Sequence, residues 1–172
     1  MNEVLQNMMA RRSCRSFEAA QVAPAALDEI LNAGLYAASG MGKQSPVLVA
    51  VQDAETVREL SRLNAAVMDT AGDPFYGAPT VVVVLAEERV RTWVEDGSLA
   101  IGNMMNAAES LGVASCWIHR AREVFDSDAG KALLRKWGVP EGYRGVGNCI
   151  LGYRKGEKPE AAPRKDGRVY RV

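Results

Sequence analysis

One histidine, His119, stands in the 172 residues, and that scarcity removes much of the usual catalytic repertoire. His-rich metal centres and His-activated nucleophiles need imidazoles at several defined positions. Cysteine is nearly as scarce. Cys14, Cys116 and Cys149 are odd in number and far apart, with no CxxC, which argues against a disulfide framework and against a zinc site. Cys116 and Cys149 lie in apolar runs and read as small core residues. Cys14 is flanked by arginines that would favour its thiolate, but no acid or histidine lies near it in sequence, so it too reads as packing. Net charge is absent, with 21 basic against 21 acidic residues, which speaks against a nucleic-acid partner. No apolar run reaches the ~18 residues of a membrane span. The N-terminus lacks a secretory pattern, so a cytoplasmic location is expected. GxSxG, HExxH, Walker A and GxGxxG are all missing, and the glycine-rich Ser39-Gly40-Met41-Gly42 does not match the dinucleotide fingerprint. The carboxylates are scattered, with no obvious acid/base couple. Such a chain either is no catalyst or leaves the hard chemistry to a bound cofactor.

What the sequence does have is a concentration of positive charge at one point. Arg11-Arg12-Ser13-Cys14-Arg15 sets three guanidiniums and a hydroxyl in one short stretch of a neutral protein. A guanidinium is a planar fork of donors that fits phosphate, and serine adds another donor. The plain alternative is a solvated basic helix end.

Hydrophobic periodicity supplies the elements. Asn2–Ala10 reads as a helix with Val4, Leu5, Met8 and Met9 on one stripe. Pro24 suits the first turn of a second helix carrying Leu27, Ile30, Leu31, Gly34 and Leu35. Ala37–Pro46 is a loop and Val47–Val51 a strand. Asp53 is a candidate N-cap for a helix through about Asn64. The β-branched run Val81–Leu85 implies a strand buried on both faces. Leu99–Leu111 is a helix apolar around most of its circumference, where Ala100, Gly102 and Ala107 would admit a close neighbour. Val113–His119 and Gly147–Tyr153 are further strands, with a helix over Ala129–Trp137 between them. The alternation argues for a three-layer α/β or α+β arrangement in a single domain, residues 1–172. The 154–172 tail cannot form its own core. Its last residues, Arg168–Val172, alternate like a strand and are expected to add to a sheet edge, a partner subunit's sheet being one candidate.

Five segments, in order, resemble the nitroreductase family of FMN enzymes. Arg11-Arg12-Ser13-Cys14-Arg15-Ser16-Phe17 is similar to the family's opening RRSxRxF. Ala38–Pro46 resembles its APSGxNxQPW loop, departing at Gly42, where many relatives carry Asn, and at Ser45-Pro46 in place of Pro-Trp. Tyr76-Gly77-Ala78-Pro79 leads into the valine run like the family's APV strand. Gly97–Ile118 resembles its long helix followed by SLGxxSCW. Val139–Tyr143 through Leu151-Gly152-Tyr153 resembles its late PxGY…LGY segment.

The resemblance implies an α+β fold, three-layer α/β/α, with a mixed, mainly antiparallel sheet flanked by helices. It implies a homodimer with FMN at the subunit interface. The activity implied is ping-pong hydride transfer from NAD(P)H through the flavin to a nitroaromatic, quinone or similar acceptor. It assigns Arg11 and Ser13 to the phosphate and ribityl chain, with Arg12 nearby, and Arg15 to the N1/O2 edge of the ring, where a fixed cation stabilises the charge of the reduced state. Ser39, Gly40 and Gln44 line the flavin, in many relatives from the other subunit. Asn64 is assigned to the pyrimidine edge, the backbone at Ile118, His119 and Arg120 to N5, and Arg164 and Lys165 to closing on the phosphate. No side chain is assigned a catalytic role, and no metal is implied. Two rivals stay open: a flavin enzyme of the same fold with another reaction, reductive dehalogenation or dehydrogenation, and a non-enzymatic module whose arginines grip a phosphoryl group.

Overall fold

The computed structural model describes residues 1–172. Four strands form one sheet: β1 (Pro46–Val51), β2 (Thr80–Glu87), β3 (Ala114–Ile118) and β4 (Tyr143–Gly152), in the order β1-β2-β4-β3 with every neighbouring pair antiparallel. β2 lies inside the sheet, and Val81 through Ala86 are wholly buried. Alternate residues face opposite layers, as the pleat requires. Val81, Val83 and Leu85 enter one core, and Val82, Val84 and Ala86 enter the other. Each such Val or Leu contributes roughly 1.5–3 kcal/mol of burial before entropy is counted.

The first core is closed by α3 (Ala54–Met68), α5 (Ala121–Asp126) and α6 (Asp128–Lys136), the second by α2 (Pro24–Leu35) and α4 (Trp93–Ser110). The fold is therefore three-layer α/β/α. α1 (Glu3–Ala10) rests outside α4, where the Asn7 side chain donates to the Asn106 carbonyl at 2.8 Å. Its apolar stripe is real but unburied: Val4, Leu5, Met8 and Met9 are all exposed.

Local signals account for several element ends. Asp53 caps α3 by accepting from the Thr56 N–H at 2.8 Å, and Pro24 opens α2. Close approach depends on glycine at Gly34, where a Cβ would stand 2.8 Å from Met104 Cγ, and at Gly97, where it would meet Val146 at 2.6 Å. Gly102 faces open space instead, so the close neighbour expected there is found at the other two glycines.

The four-stranded sheet is antiparallel throughout rather than mixed, and residues 11–17 add only isolated bridges at its edge. Ser13 makes a parallel bridge to Ser115, and Phe17 an antiparallel one to Arg154. The arginine segment thus closes the sheet corner where β3 begins and β4 ends. At the other terminus the chain's own sheet takes up no added strand. Arg168–Val172 forms no strand and adds to no edge of its own sheet; all five residues are exposed. An alternating pattern makes a strand only where a ladder partner is available. The tail is fastened instead near its start, by the Lys158–Glu109 ion pair to α4. No helix is long and apolar enough to cross a membrane.

Candidate functional site

Arg11 and Arg12 are not splayed into solvent. The backbone of the arginine segment is tied to β3 by the Cys14 N–H donating to the Ser115 carbonyl at 2.9 Å, and to the chain after β4 by the Lys155 N–H donating to the Ser16 carbonyl at 3.0 Å. Phe17 is buried and packs against Gly152, which holds the end of the segment to the sheet. Two guanidinium nitrogens, Arg11 Nη1 and Arg12 Nε, are buried with no hydrogen-bond partner. Arg12 Nη1 donates to the Met9 carbonyl at 2.8 Å, which orients that side chain. Buried donors in native proteins are nearly always satisfied, and an orphaned cationic one is a place prepared for an anion. Arg11, Arg12 and Ser13 thus offer cationic and hydroxyl donors of the kind a phosphate monoester takes, and their chemistry fits the phosphorylated end of a flavin mononucleotide.

Arg154 joins this cluster. Its Nη2 reaches the Arg12 carbonyl at 3.5 Å, which makes it a fourth guanidinium that sequence reasoning missed. Its only signal was its place directly after the Leu151-Gly152-Tyr153 strand end. Arg15 is exposed. Cys14 is fully buried, with its thiol directed to the Ser16 carbonyl at 3.0 Å, and serves as packing. The Cys149 thiol beneath is pushed up to about 12 by burial, with Cys116 adding to the effect and Arg11 opposing it, so Arg11 lies within electrostatic reach of the sheet.

The second group, Ile118, His119 and Arg120, lies at the far end of β3. Ile118 is buried, whereas the His119 and Arg120 side chains are exposed. Arg120 holds a left-handed backbone (φ 78°) at the start of α5 and pairs with Glu123 at 2.8 Å. Residues 115 and 119 are separated by roughly 13 Å of strand. The arginine corner and this turn therefore flank a single edge strand.

Asn64 is fully buried. Its Oδ1 accepts from Asn148 Nδ2 at 3.3 Å, and its Nδ2 points at Met68 Sδ at 3.2 Å. Asn148, also buried, keeps an unpartnered Oδ1. This polar pair joins residues 84 apart in the chain and left no trace in the sequence. Arg164 and Lys165 sit in the exposed tail, where Arg164 donates only to the Ala162 carbonyl.

The loop carrying Ser39, Gly40 and Gln44 is not beside the arginines. It precedes β1 at one sheet edge, and the arginines flank β3 at the other. Register sets the second coordinate: Pro46 lies opposite Ala86, while Ser115 lies level with Leu151 and Thr80. Three strand spacings across and six residues along put the two groups roughly 25 Å apart. The loop is folded on itself, with the Gln44 N–H donating to Ser39 Oγ at 2.9 Å, and it is fixed to α4 by the Gly40 N–H donating to Asp96 at 2.9 Å. A cavity of about 720 Å³ lies elsewhere, along α3 and the 73–79 turn, lined by Gln52, Arg58, Arg62 and Phe75, and includes none of the expected site residues.

The sequence model of the nitroreductase family matches residues 8–153. The chain belongs to the nitroreductase family. A solved Bacteroides fragilis nitroreductase with bound FMN is 34% identical, with full coverage of both chains and a TM-score of 0.92. A Desulfitobacterium hafniense nitroreductase with bound FMN is 28% identical, again over the whole of both chains, with a TM-score of 0.89. A provisionally named NADH dehydrogenase/NAD(P)H nitroreductase of Archaeoglobus fulgidus is 30% identical over 92% of this chain and 89% of its own length. The family match begins just ahead of the arginine segment and ends at Tyr153, one residue short of Arg154.

Proposed function

We propose that this protein is an FMN-dependent NAD(P)H oxidoreductase that works as a homodimer, with nitroaromatics, quinones or similar compounds as acceptors. The observation that carries the reading is the pair of buried, partnerless guanidinium nitrogens on Arg11 and Arg12, within a segment that the family match includes. When bound, FMN would supply the redox chemistry, hydride acceptance from NAD(P)H and electron delivery to the acceptor in separate half-reactions.

The chain's own residues bind and orient. Arg11, Arg12 and Ser13 hold the phosphate end, and Arg15 provides a cation toward the ring. The backbone at Ile118, His119 and Arg120 offers N–H groups, with the His119 and Arg120 side chains left facing solvent and that of Ile118 buried. Arg164 and Lys165 close over the phosphate from the tail. A contact from Asn64 requires its amide to part from Met68, since the fold leaves it no exposed atom.

Two features favour the dimer. The Ser39–Gln44 loop and the arginines occupy opposite sheet corners, so they can line one cofactor only when they come from two copies. The exposed Val4, Leu5, Met8 and Met9 stripe on α1, with Leu35, Tyr36 and Leu99 also exposed, offers an apolar surface for a second copy. Two-fold symmetry then creates two equivalent sites. Three buried free thiols suit a reducing cytoplasm.

An absorbance spectrum of the purified protein, before and after anaerobic NAD(P)H, tests cofactor and hydride acceptance together. A flavin band that bleaches is expected. A colourless protein that leaves the spectrum of added FMN unchanged sinks the proposal.

A further inference from the structure

The Ser39–Ser45 loop holds two non-glycine residues in left-handed backbone, Met41 (φ 53°) and Gln44 (φ 49°). Each such residue costs about 1–2 kcal/mol. Met41 is 88% exposed, so its own packing cannot offset that strain. The loop's internal hydrogen bonds, from Gly42 N–H to the Ser39 carbonyl at 3.0 Å, Lys43 N–H to the Gly40 carbonyl at 3.1 Å and Gln44 N–H to Ser39 Oγ at 2.9 Å, are supplemented from outside by a buried carboxylate on α4.

Asp96 is 2% exposed. One oxygen accepts the Gly40 N–H at 2.9 Å and the other accepts the Ser45 hydroxyl at 2.7 Å. Both partners lie on the loop, more than 50 residues away in the chain. None of the ion pairs in the structure involves Asp96. A buried carboxylate with no cation is expensive unless hydrogen bonds to it offset the lost solvation. What the carboxylate does, and an apolar residue cannot, is fix two loop donors at set positions. Gly40 also packs so tightly on Thr92 that an added Cβ would overlap its Oγ1. The loop is thus held to the first turn of α4 at Gly40, at Ser45 and by that contact.

We infer that Asp96 is a positioning residue for cofactor binding in trans: it holds the Ser39–Gln44 loop of one subunit in the shape that covers the cofactor gripped by the arginines of the other. This rests on the proposed function above. Asp96 touches no cofactor itself. It acts through Gly40 and Ser45, so its loss affects the site of the neighbouring subunit and leaves its own arginine corner intact.

The test is FMN titration by fluorescence quenching, with thermal melting of the cofactor-free protein alongside. Asp96→Ala removes both anchors and is expected to weaken FMN binding on the order of 30-fold. Asp96→Asn can still accept from Gly40 and can donate to Ser45, so affinity should stay within about fivefold of the wild type. Gly40→Ala displaces the loop without touching the core and should weaken binding like Asp96→Ala. It keeps the test alive should that variant fold poorly.

The decisive arm pairs differently tagged Asp96→Ala and Arg11→Ala chains and isolates the heterodimer. One of its two sites then combines intact arginines from the first chain with an intact loop from the second. One tight FMN per heterodimer, where neither homodimer binds tightly, is the expected result. Equal affinity of Asp96→Ala and wild type, or a heterodimer with no tight site, overturns the inference. Failure of the wild type to bind FMN overturns the functional reading, and this inference with it.

Discussion

Replacing Arg11 with methionine is expected to stabilise the cofactor-free protein and to weaken its hold on the cofactor. Arg11 Nη1 is sealed from solvent without an acceptor, and a donor left in that state costs about 1–3 kcal/mol, with charged groups at the upper end. Methionine is similar in reach, apolar and flexible enough to fill the same channel. A chain of this size gains about 2–4 °C in Tm per kcal/mol, so a rise on the order of 5 °C is expected without cofactor. The lost guanidinium–phosphate bonds are worth roughly 1.5–3 kcal/mol, which weakens FMN binding by about 10- to 150-fold. The assays are thermal melting with and without inorganic phosphate, and fluorescence titration with FMN. Phosphate should raise the wild-type Tm and leave that of the variant unchanged. An ordinary packing arginine would give the reverse signs. A variant that melts lower than the wild type and still binds FMN as tightly would refute the anion-cradle argument.

The remaining predictions concern neighbouring parts of the molecule. Gly145→Ala places a Cβ against the Ala121 carbonyl and 2.8 Å from the Arg122 backbone nitrogen, so the β4–α5 contact must shift and stability should fall by about 3 kcal/mol or more, read as a drop in Tm. Because His119 is exposed and only its backbone is assigned a role, His119→Ala should leave FMN affinity and the pH profile of turnover within about twofold; a larger loss would show side-chain participation. The Asp96 carboxyl is held below its ordinary value: burial works against its charge, but the hydrogen bonds from Ser45, Gly40 and Thr92 together outweigh it. Its contribution to stability is therefore complete above the unfolded pKa of about 3.9 and is lost as pH falls through the lower folded value. Denaturant midpoints measured from pH 5 down to pH 2.5 should decline more steeply for the wild type than for Asp96→Asn. All three cysteines are buried, so a thiol reagent should label none in the native protein and all of them after denaturation.

Much of this molecule was legible because the information was local. An unbroken β-branched run has only one stable place, inside a sheet covered on both sides, and Val81–Leu85 is found there. The Asp53 cap, the Pro24 start and the arginine segment all rely on chemistry within a few residues of chain. Other features needed partners distant in sequence. α5 has six residues, too few for a helical period to show; it forms because Ala121, Val124 and Phe125 pack on β4 and α6. β4 begins at Tyr143 because Glu87 and Ala86 lie opposite to pair with it. Arg168–Val172 has the alternation of a strand and no ladder to join within its own sheet.

The sequence by itself determined the element types, the strand buried on both faces and the cluster of guanidiniums, because propensity, periodicity and charge act over short spans of chain. The tertiary structure alone decided that two of those guanidiniums end in buried, partnerless nitrogens, and that Asp96 reaches across to Gly40 and Ser45. It alone set the loop and the arginines at opposite corners of the sheet. Strand order and register fix those distances, and both are settled only when the whole chain packs.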